Sequence, residues 1–350
     1  MSIHSLSEVG IAPMATPHTQ HPLLELRNVS KRFSNSPDIA HRLAMRLGLA
    51  KAPPTVHAVN DVSLAIRAGE VVGLVGESGC GKSTLGRVAV GLYSPTEGSR
   101  SWQGRRMDAM SAEELKRARL QIQMVFQDPY ASLNPRMRVE DLVGEAARVH
   151  GLVSRGQQRE MVSSLLEKVG LPTTVLRRFP HQFSGGQRAR VGIARALALQ
   201  PKFLVCDEAV AALDVSIQAQ VINLFMKLRE DLNLTYLFIS HDLSVVRHIS
   251  DRVVIMYLGR VVEEAPVEAL FSRPNHPYSQ ALLAETPNLE VRKKTFVAVR
   301  GEIPSPLSPP PGCHFHPRCP HAVARCNVEQ PILRTIDTGH RSACHLNDLK

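Results

Sequence analysis

The clearest chemical signal in the chain is the run Gly76, Glu77, Ser78, Gly79, Cys80, Gly81, Lys82 and Ser83, a G-x-x-x-x-G-K-S pattern followed by Thr84. Its glycines let successive backbone N–H groups turn inward as a cradle for phosphate oxygens, and the N-terminus of a following helix adds partial positive charge. Lys82 is expected at the outer phosphates, Ser83 on a Mg²⁺ ion and Thr84 at an inner phosphate. A magnesium nucleotide needs a second carboxylate, and its hydrolysis needs a base for water. "KFLVCDEAV" (202–210) offers both. Four apolar residues lead to Asp207, placed to hold the metal directly or through water, and Glu208 follows, placed to orient and deprotonate the attacking water. In "FSGGQRARVGIARALAL" (183–199), Ser184 precedes a glycine pair that opens a helix, a second anion-binding helix end. Two such ends with one catalytic carboxylate suggest a site assembled from two copies of the domain.

The elements that must position these groups follow from hydrophobic pattern. Val71, Val72, Leu74 and Val75 run into the phosphate loop as a strand. "LLELRNVSKRF" (23–33) and "VHAVNDVSLAI" (56–66) alternate like strands, while "IQMVF" (122–126), "FLVCD" (203–207), "TYLFIS" (235–240) and "DRVVIMYLG" (251–259) are apolar strands. Between them lie a polar, helix-rich stretch (139–179) and a helix starting near Gln187. Apolar strands alternating with helices predict an α/β fold around a mainly parallel, buried sheet. Between the first two strands, Ile39, Leu43 and Leu47 recur every four residues beside Arg42 and Arg46. A short basic amphipathic helix at a membrane surface or a solvated connection accounts for that spacing equally well. Beyond Pro266 the texture changes, and "GEIPSPLSPPPGC" (301–313) reads as a proline-rich linker to a small terminal module.

With 350 residues and 43% hydrophobic content, the chain has material for one large or two modest domains. No run nears the roughly 18 apolar residues of a membrane span, and the first twenty residues lack a signal-peptide pattern, so a cytoplasmic chain is expected. Lys and Arg exceed Asp and Glu by 42 to 32, but the sixteen aromatics (one Trp, five Tyr, ten Phe) do not alternate with basic residues as base-stacking platforms would. No nucleic-acid partner is expected. Four of the six cysteines, Cys313, Cys319, Cys326 and Cys344, crowd the last forty residues. They lack C-x-x-C spacing, and without an export signal a disulfide framework is not expected. Zinc, an iron–sulfur cluster or free thiols remain open from spacing alone.

In order and spacing these motifs resemble the ATP-binding cassette (ABC) subunits of transporters, from about residue 23 to the C-terminus. The resemblance implies a P-loop ABC nucleotide-binding domain over 22–265, with a mainly parallel core, an antiparallel β portion and a helical subdomain at about 128–182. A flexible tail (1–21) would precede it. It further implies that Phe33 stacks on adenine and that residues 76–84 hold ATP. Gln127 in "VFQDPYASLNP" would link Mg²⁺ and water to the membrane partner, joining Ser83 and Asp207 at the metal. Ser184, Gly185, Gly186 and Gln187 would form the signature loop that reaches the other subunit's ATP. Asp214 in "AALD" would lie in the dimer-crossing loop, and His241 in "ISHDLSVV" would contact the terminal phosphate. The chain departs from the family's D-E-P-V-S-A-L-D, with Ala209 for the proline and Ala211 for the serine. A missing hydroxyl hydrogen bond is worth about 0.5–1.5 kcal/mol.

Within the family, "GLVGESGCGKSTLGR", "QDPYASLNPRM", "LDVSIQAQVINL" and the tail with "RPNHPYSQALL" and "GEIPSPLSPPPGCHFHPRCP" resemble the F-type ATPases of dipeptide and oligopeptide importers. Importers of nickel and of glutathione share much of that tail. The resemblance implies a sister ATPase, two permease subunits and an external solute-binding protein as partners, and a peripheral place on the cytoplasmic face of the inner membrane. It also implies that residues 266–350 form the importers' C-terminal region, whose four cysteines hold a 4Fe-4S cluster, with zinc as the alternative. Other readings are a nucleotide-binding partner that does not turn over, suggested by Ala209 and Ala211, and a redox or metal sensor built on the cysteines. A soluble cassette acting on DNA or ribosomes is disfavoured by the single cassette and the lack of sustained heptads.

Overall fold

The computed structural model describes residues 21–34, 53–128, 132–285 and 301–348. The expected N-terminal tail, except His21, and the insertion bearing Ile39, Leu43 and Leu47 lie outside these residues. Strands β1 (Leu24–Ser34) and β2 (Thr55–Ile66), expected from their alternation, pair antiparallel. Strand β3 (Val71–Val75) is buried along its whole length and runs into the phosphate loop, after which α1 (Lys82–Val90) begins. Strands β4 (Glu97–Trp102) and β5 (Arg105–Arg106) complete a four-stranded antiparallel sheet in the order β2-β1-β4-β5. Of "EGSRSW" only Ser101 and Trp102 are buried, so β4 carries too little apolar pattern to be read from sequence. Helix α2 (Ala112–Gln121) starts at a capping box between Ser111 and Glu114 and leads into β6 (Ile122–Val125).

The helix-rich stretch resolves into α3 (Val139–Val149) and α4 (Arg155–Lys168), the second capped by Ser154 and Gln157. Helix α5 (Gly185–Leu197) precedes β7 (Phe203–Asp207); α6 (Val215–Leu232), β8 (Thr235–Ile239), α7 (Leu243–Ile249) and β9 (Arg252–Tyr257) follow. Strands β9, β3, β8, β7 and β6 lie side by side and parallel. Their side chains feed three cores, the third holding Val75, Val253, Ile255 and Tyr257, which explains why the strands are apolar throughout. Leu204, Cys206, Tyr236 and Phe238 join the residues of α5 and α6, while Phe203, Val205, Leu237 and Ile239 join Leu85, Val88 and Ala89 of α1 and the β1–β2 face.

The chain reverses at Leu258 and Gly259, both in left-handed backbone with φ 43° and 80°, and returns as β10 (Arg260–Pro266) against β9. Helices α8 (Val267–Ser272) and α9 (Pro277–Glu285) follow. Strands β11 (Arg334–Asp337) and β12 (His340–Ser342) then add to β10, giving one eight-stranded sheet, β11-β12-β10-β9-β3-β8-β7-β6. The strands of the terminal region thus extend the main sheet. Phe315, Tyr257 and Tyr278 form a buried aromatic cluster, with ring centroids 4.7 to 5.3 Å apart. Burying a side chain such as Phe315 contributes about 1.5–3 kcal/mol, and each edge contact about 0.5–1.5 more.

Candidate functional site

The phosphate loop closes because its glycines have no Cβ. At Gly81, φ is 104° and a Cβ would fall 2.0 Å from the Ala58 carbonyl oxygen. Lys82 is buried, and its Nζ donates to the Gly76 carbonyl at 2.7 Å and the Glu77 carbonyl at 3.0 Å. The ammonium thus lies inside the loop, restrained by neutral carbonyls that phosphate oxygens can replace. Ser83 Oγ donates to Asp207 Oδ1 at 2.7 Å, so two of the three expected metal-holding residues, 124 positions apart, already meet. Burial raises the Asp207 carboxyl above its usual range, a cost that a bound cation would offset. Hard oxygen donors of this kind suit Mg²⁺.

Asp207 ends β7, and Glu208 turns the chain with φ 48°, an uncommon backbone for a residue with a long side chain. That turn brings the Glu208 carboxylate to two partners from other strand ends. Gln127 Nε2 donates to its Oε2 at 2.6 Å, and His241 Nδ1 lies 3.5 Å from its Oε1. The third expected metal residue, Gln127, therefore sits on the carboxylate expected to activate water. Glu208 is mostly buried at 12% side-chain exposure, whereas His241 is open at 55%. Ala209 is buried, and the Ala211 N–H donates to the Glu208 carbonyl at 3.1 Å, so the turn closes without the hydroxyl this chain lacks.

The remaining expected site residues lie apart from this group. Ser184 caps α5, its Oγ accepting from the Gln187 N–H at 3.4 Å while Gln187 Oε1 accepts from the Ser184 N–H at 3.1 Å. The accepting Oγ keeps its own proton to donate to an anion. A Cβ on Gly186 would meet Ile217 at 2.4 Å, and one on Gly185 would touch Leu213 at 3.4 Å, so the turn from Ser184 to Gln187 packs on the start of α6 beside the exposed Asp214. Phe33 meets Tyr93 edge-on, with centroids 5.3 Å apart and the Lys31 ammonium 5.1 Å from the Phe33 ring. Tyr93 and Lys31 carried no signal in the sequence; only their spacing after folding brings them to Phe33.

At the C-terminal end, Cys313, Cys319, Cys326 and Cys344 line one cavity of about 10 Å³ together with His316, His321 and His345. All four are free thiols. Burial pushes the Cys313 thiol up to about 11 and raises those of Cys319 and Cys344. Four thiols around one space are the donor set of a thiolate-held metal centre. Among the described residues, however, no three His, Cys, Asp or Glu side chains stand close enough to hold a metal ion. Nor is any helix among them long and apolar enough to cross a membrane.

Comparison with known proteins shows the family. Residues 59–211 match the family model "ABC transporter" and residues 262–326 match "Oligopeptide/dipeptide transporter, C-terminal region". The oligopeptide transport ATP-binding protein AppF of Bacillus subtilis is 48% identical over 95% of this chain and 99% of its own. The di/tripeptide transport ATP-binding protein DppF of Pseudomonas aeruginosa is 47% identical over 88% of this chain and 95% of its own. Among solved structures, cbiO1 of Clostridium perfringens, part of an ABC transporter complex, superposes with a TM-score of 0.60 at 26% identity, covering 73% of this chain and 92% of that one. A dimeric ATP-binding cassette in a post-hydrolysis state with ADP and phosphate bound gives 0.58 at 27% identity, over 70% and 98%. The chain belongs to the ABC transporter family, to its oligopeptide/dipeptide branch of ATP-binding proteins.

Proposed function

We propose that this chain is the ATP-hydrolysing subunit of an importer that drives di- or oligopeptides across the cytoplasmic membrane. The observation that carries the catalytic part is the convergence of Gln127 and His241 on Glu208, one residue beyond the Asp207–Ser83 pair. ATP binds with its adenine at Phe33 and its phosphates in the loop of residues 76–84, where Lys82 exchanges the Gly76 and Glu77 carbonyls for phosphate oxygens. Ser83, Asp207 and Gln127 would hold Mg²⁺, which neutralises charge on the phosphates. Glu208 takes a proton from water as the water oxygen bonds to the terminal phosphorus. The bond to the bridging oxygen breaks, leaving ADP and phosphate, with His241 on the terminal group. Ser184, Gly185, Gly186 and Gln187 complete the site of a sister ATPase, and Asp214 lies at the crossing between the two.

The chain divides in this reading into an ATPase lobe (22–265), with a helical subdomain at about 128–182 that moves two permeases, and a C-terminal region (266–350). An external binding protein delivers the solute, and the ATPase sits peripherally on the cytoplasmic face. The names of the relatives support peptides over nickel or glutathione. In the assembled complex in vesicles, peptide-loaded binding protein should raise ATP hydrolysis and drive uptake. Stimulation by nickel or glutathione instead would reassign the cargo, and hydrolysis unaffected by Glu208→Gln would make this chain the silent partner of the pair. The four cysteines would hold a 4Fe-4S cluster or zinc, supported by their shared cavity. Metal and acid-labile sulfide analysis of anaerobically purified protein tests this, and metal-free protein would remove it.

A further inference from the structure

We propose that Arg318 and Tyr278 are positioning residues of the phosphate loop, through which the four-cysteine region sets the affinity for ATP. Glu77, the loop's second residue, is held by all three of its polar groups. Its backbone N–H donates to Tyr278 Oη at 2.9 Å. Its carboxylate takes a two-pronged ion pair from Arg318, Nη1 to Oε2 at 2.8 Å and Nη2 to Oε1 at 2.9 Å. Its carbonyl accepts from Lys82 Nζ at 3.0 Å. Hydrogen bonds thus run without a break from the C-terminal region through Glu77 to the lysine expected at the outer phosphates. A bidentate guanidinium–carboxylate pair fixes direction as well as distance, and Arg318 is 5% exposed, so solvent screens it little.

The far end of this chain of contacts belongs to the cysteines. The turn from Cys313 to Cys319 carries a thiol at each end and, between them, both residues that anchor it to the body. Phe315 enters the cluster of Tyr257 and Tyr278, and the Arg318 guanidinium lies 5.8 Å from the Tyr257 ring and 6.0 Å from Phe315. The turn is closed by Cys313 N–H to Cys326 O at 2.9 Å and Arg318 N–H to Phe315 O at 3.0 Å. Cys313 and Cys319 also pack against the aromatic core that contains Tyr278. Any change in how the four thiols are held moves this turn, and the turn moves Arg318 and Tyr278. An ATPase with no need of the cysteines for chemistry would in this way read their state in its phosphate loop.

The proposal rests on the ATP-binding reading of residues 76–84, and one set of measurements separates the two. Binding of a fluorescent ATP analogue with Mg²⁺ is measured on the full chain, alongside kcat and KM of the assembled complex, for Arg318→Gln, Arg318→Lys, Tyr278→Phe, Cys319→Ser and the double variant Arg318→Gln/Cys319→Ser. Losing the charged, two-pronged contact should weaken analogue binding about tenfold and raise KM alike, with kcat within about twofold. Arg318→Lys should recover part of the loss, and Tyr278→Phe should weaken binding about threefold. Cys319→Ser should weaken binding as well, and the double variant should be no worse than Arg318→Gln, since both act through one contact. Hydrogen exchange over residues 73–83 should quicken in each. Unchanged affinity in Arg318→Gln and Tyr278→Phe, with only the melting temperature lowered, overturns the positioning role. Additive losses in the double variant overturn the link to the cysteines. Failure of the unmodified chain to bind the analogue would instead refute the ATP-binding reading itself.

Discussion

Replacing Glu208 by Gln isolates the step the site exists to perform. Gln127 Nε2 approaches Glu208 Oε2 at 2.6 Å and requires an acceptor there. A glutamine at 208 has the same shape and can turn its amide oxygen to Gln127, leaving its NH₂ toward His241 Nδ1. The left-handed turn at φ 48° and the Asp207–Ser83 contact are untouched, so folding should be conserved. What is lost is the group that, in the proposed mechanism, takes the proton from water. General-base loss costs roughly 10²–10⁴ in rate, about 2.7–5.4 kcal/mol of transition-state stabilisation. ATP affinity, which the proposed function places on residues 76–84, should change little, so pre-hydrolysis complexes should accumulate as ATP-bound pairs visible by size-exclusion chromatography. The assay is single-turnover phosphate release by the assembled complex, with thermal melting of the same preparation. A rate within about tenfold of the parent at equal stability would refute Glu208 as the base, and a large melting shift would show that Gln127 and His241 serve folding instead.

Three further outcomes follow from particular contacts. Gly81→Ala puts a Cβ 2.0 Å from the Ala58 carbonyl oxygen at φ 104°; strain of at least about 1–2 kcal/mol from the backbone alone should lower the melting point and abolish ATP-analogue binding. Asp207 has a folded pKa above its ordinary 3.8, so its ionisation costs stability as pH rises through that raised value. Asp207→Asn should therefore stabilise the nucleotide-free chain at neutral pH, by urea unfolding, yet lose the stabilisation that Mg·ATP gives the parent. His276 is fully buried and its pKa is lowered by burial from 6.5 to about 3, so it contributes stability present above pH 6.5 and lost as pH falls toward 3. Unfolding free energy should drop by about 1.4 kcal/mol per pH unit across that window, and His276→Gln should flatten the slope.

The legible parts of this protein are those whose cause lies within a few residues. The apolar run into the phosphate loop and its glycines specify strand, turn and helix start locally, and the capping pair Ser184 and Gln187 starts α5 as the sequence indicated. Strands β7 and β8 were visible because burial on both faces demands apolar residues throughout. β4 was not, because an edge strand that buries two of six residues has no such demand. β10 was hidden by its charged pair Glu263 and Glu264, which looks like surface. Glu263 is in fact fully buried, accepting from the Asn275 and His276 N–H groups and facing His340 Nε2 at 2.7 Å. The cysteines' company was equally hidden, since their gaps of five, six and seventeen residues name no geometry.

Sequence alone determined the chemistry available: which residues can cradle a phosphate, ligate a cation or accept a proton, because residue type and short spacing set these directly. The tertiary structure decided which of them meet. Gln127 and Glu208 are 81 positions apart, and Glu77 and Arg318 are 241 apart. Their encounters follow from strand order in one sheet, which is settled by packing three cores against it and not by any local preference of the chain.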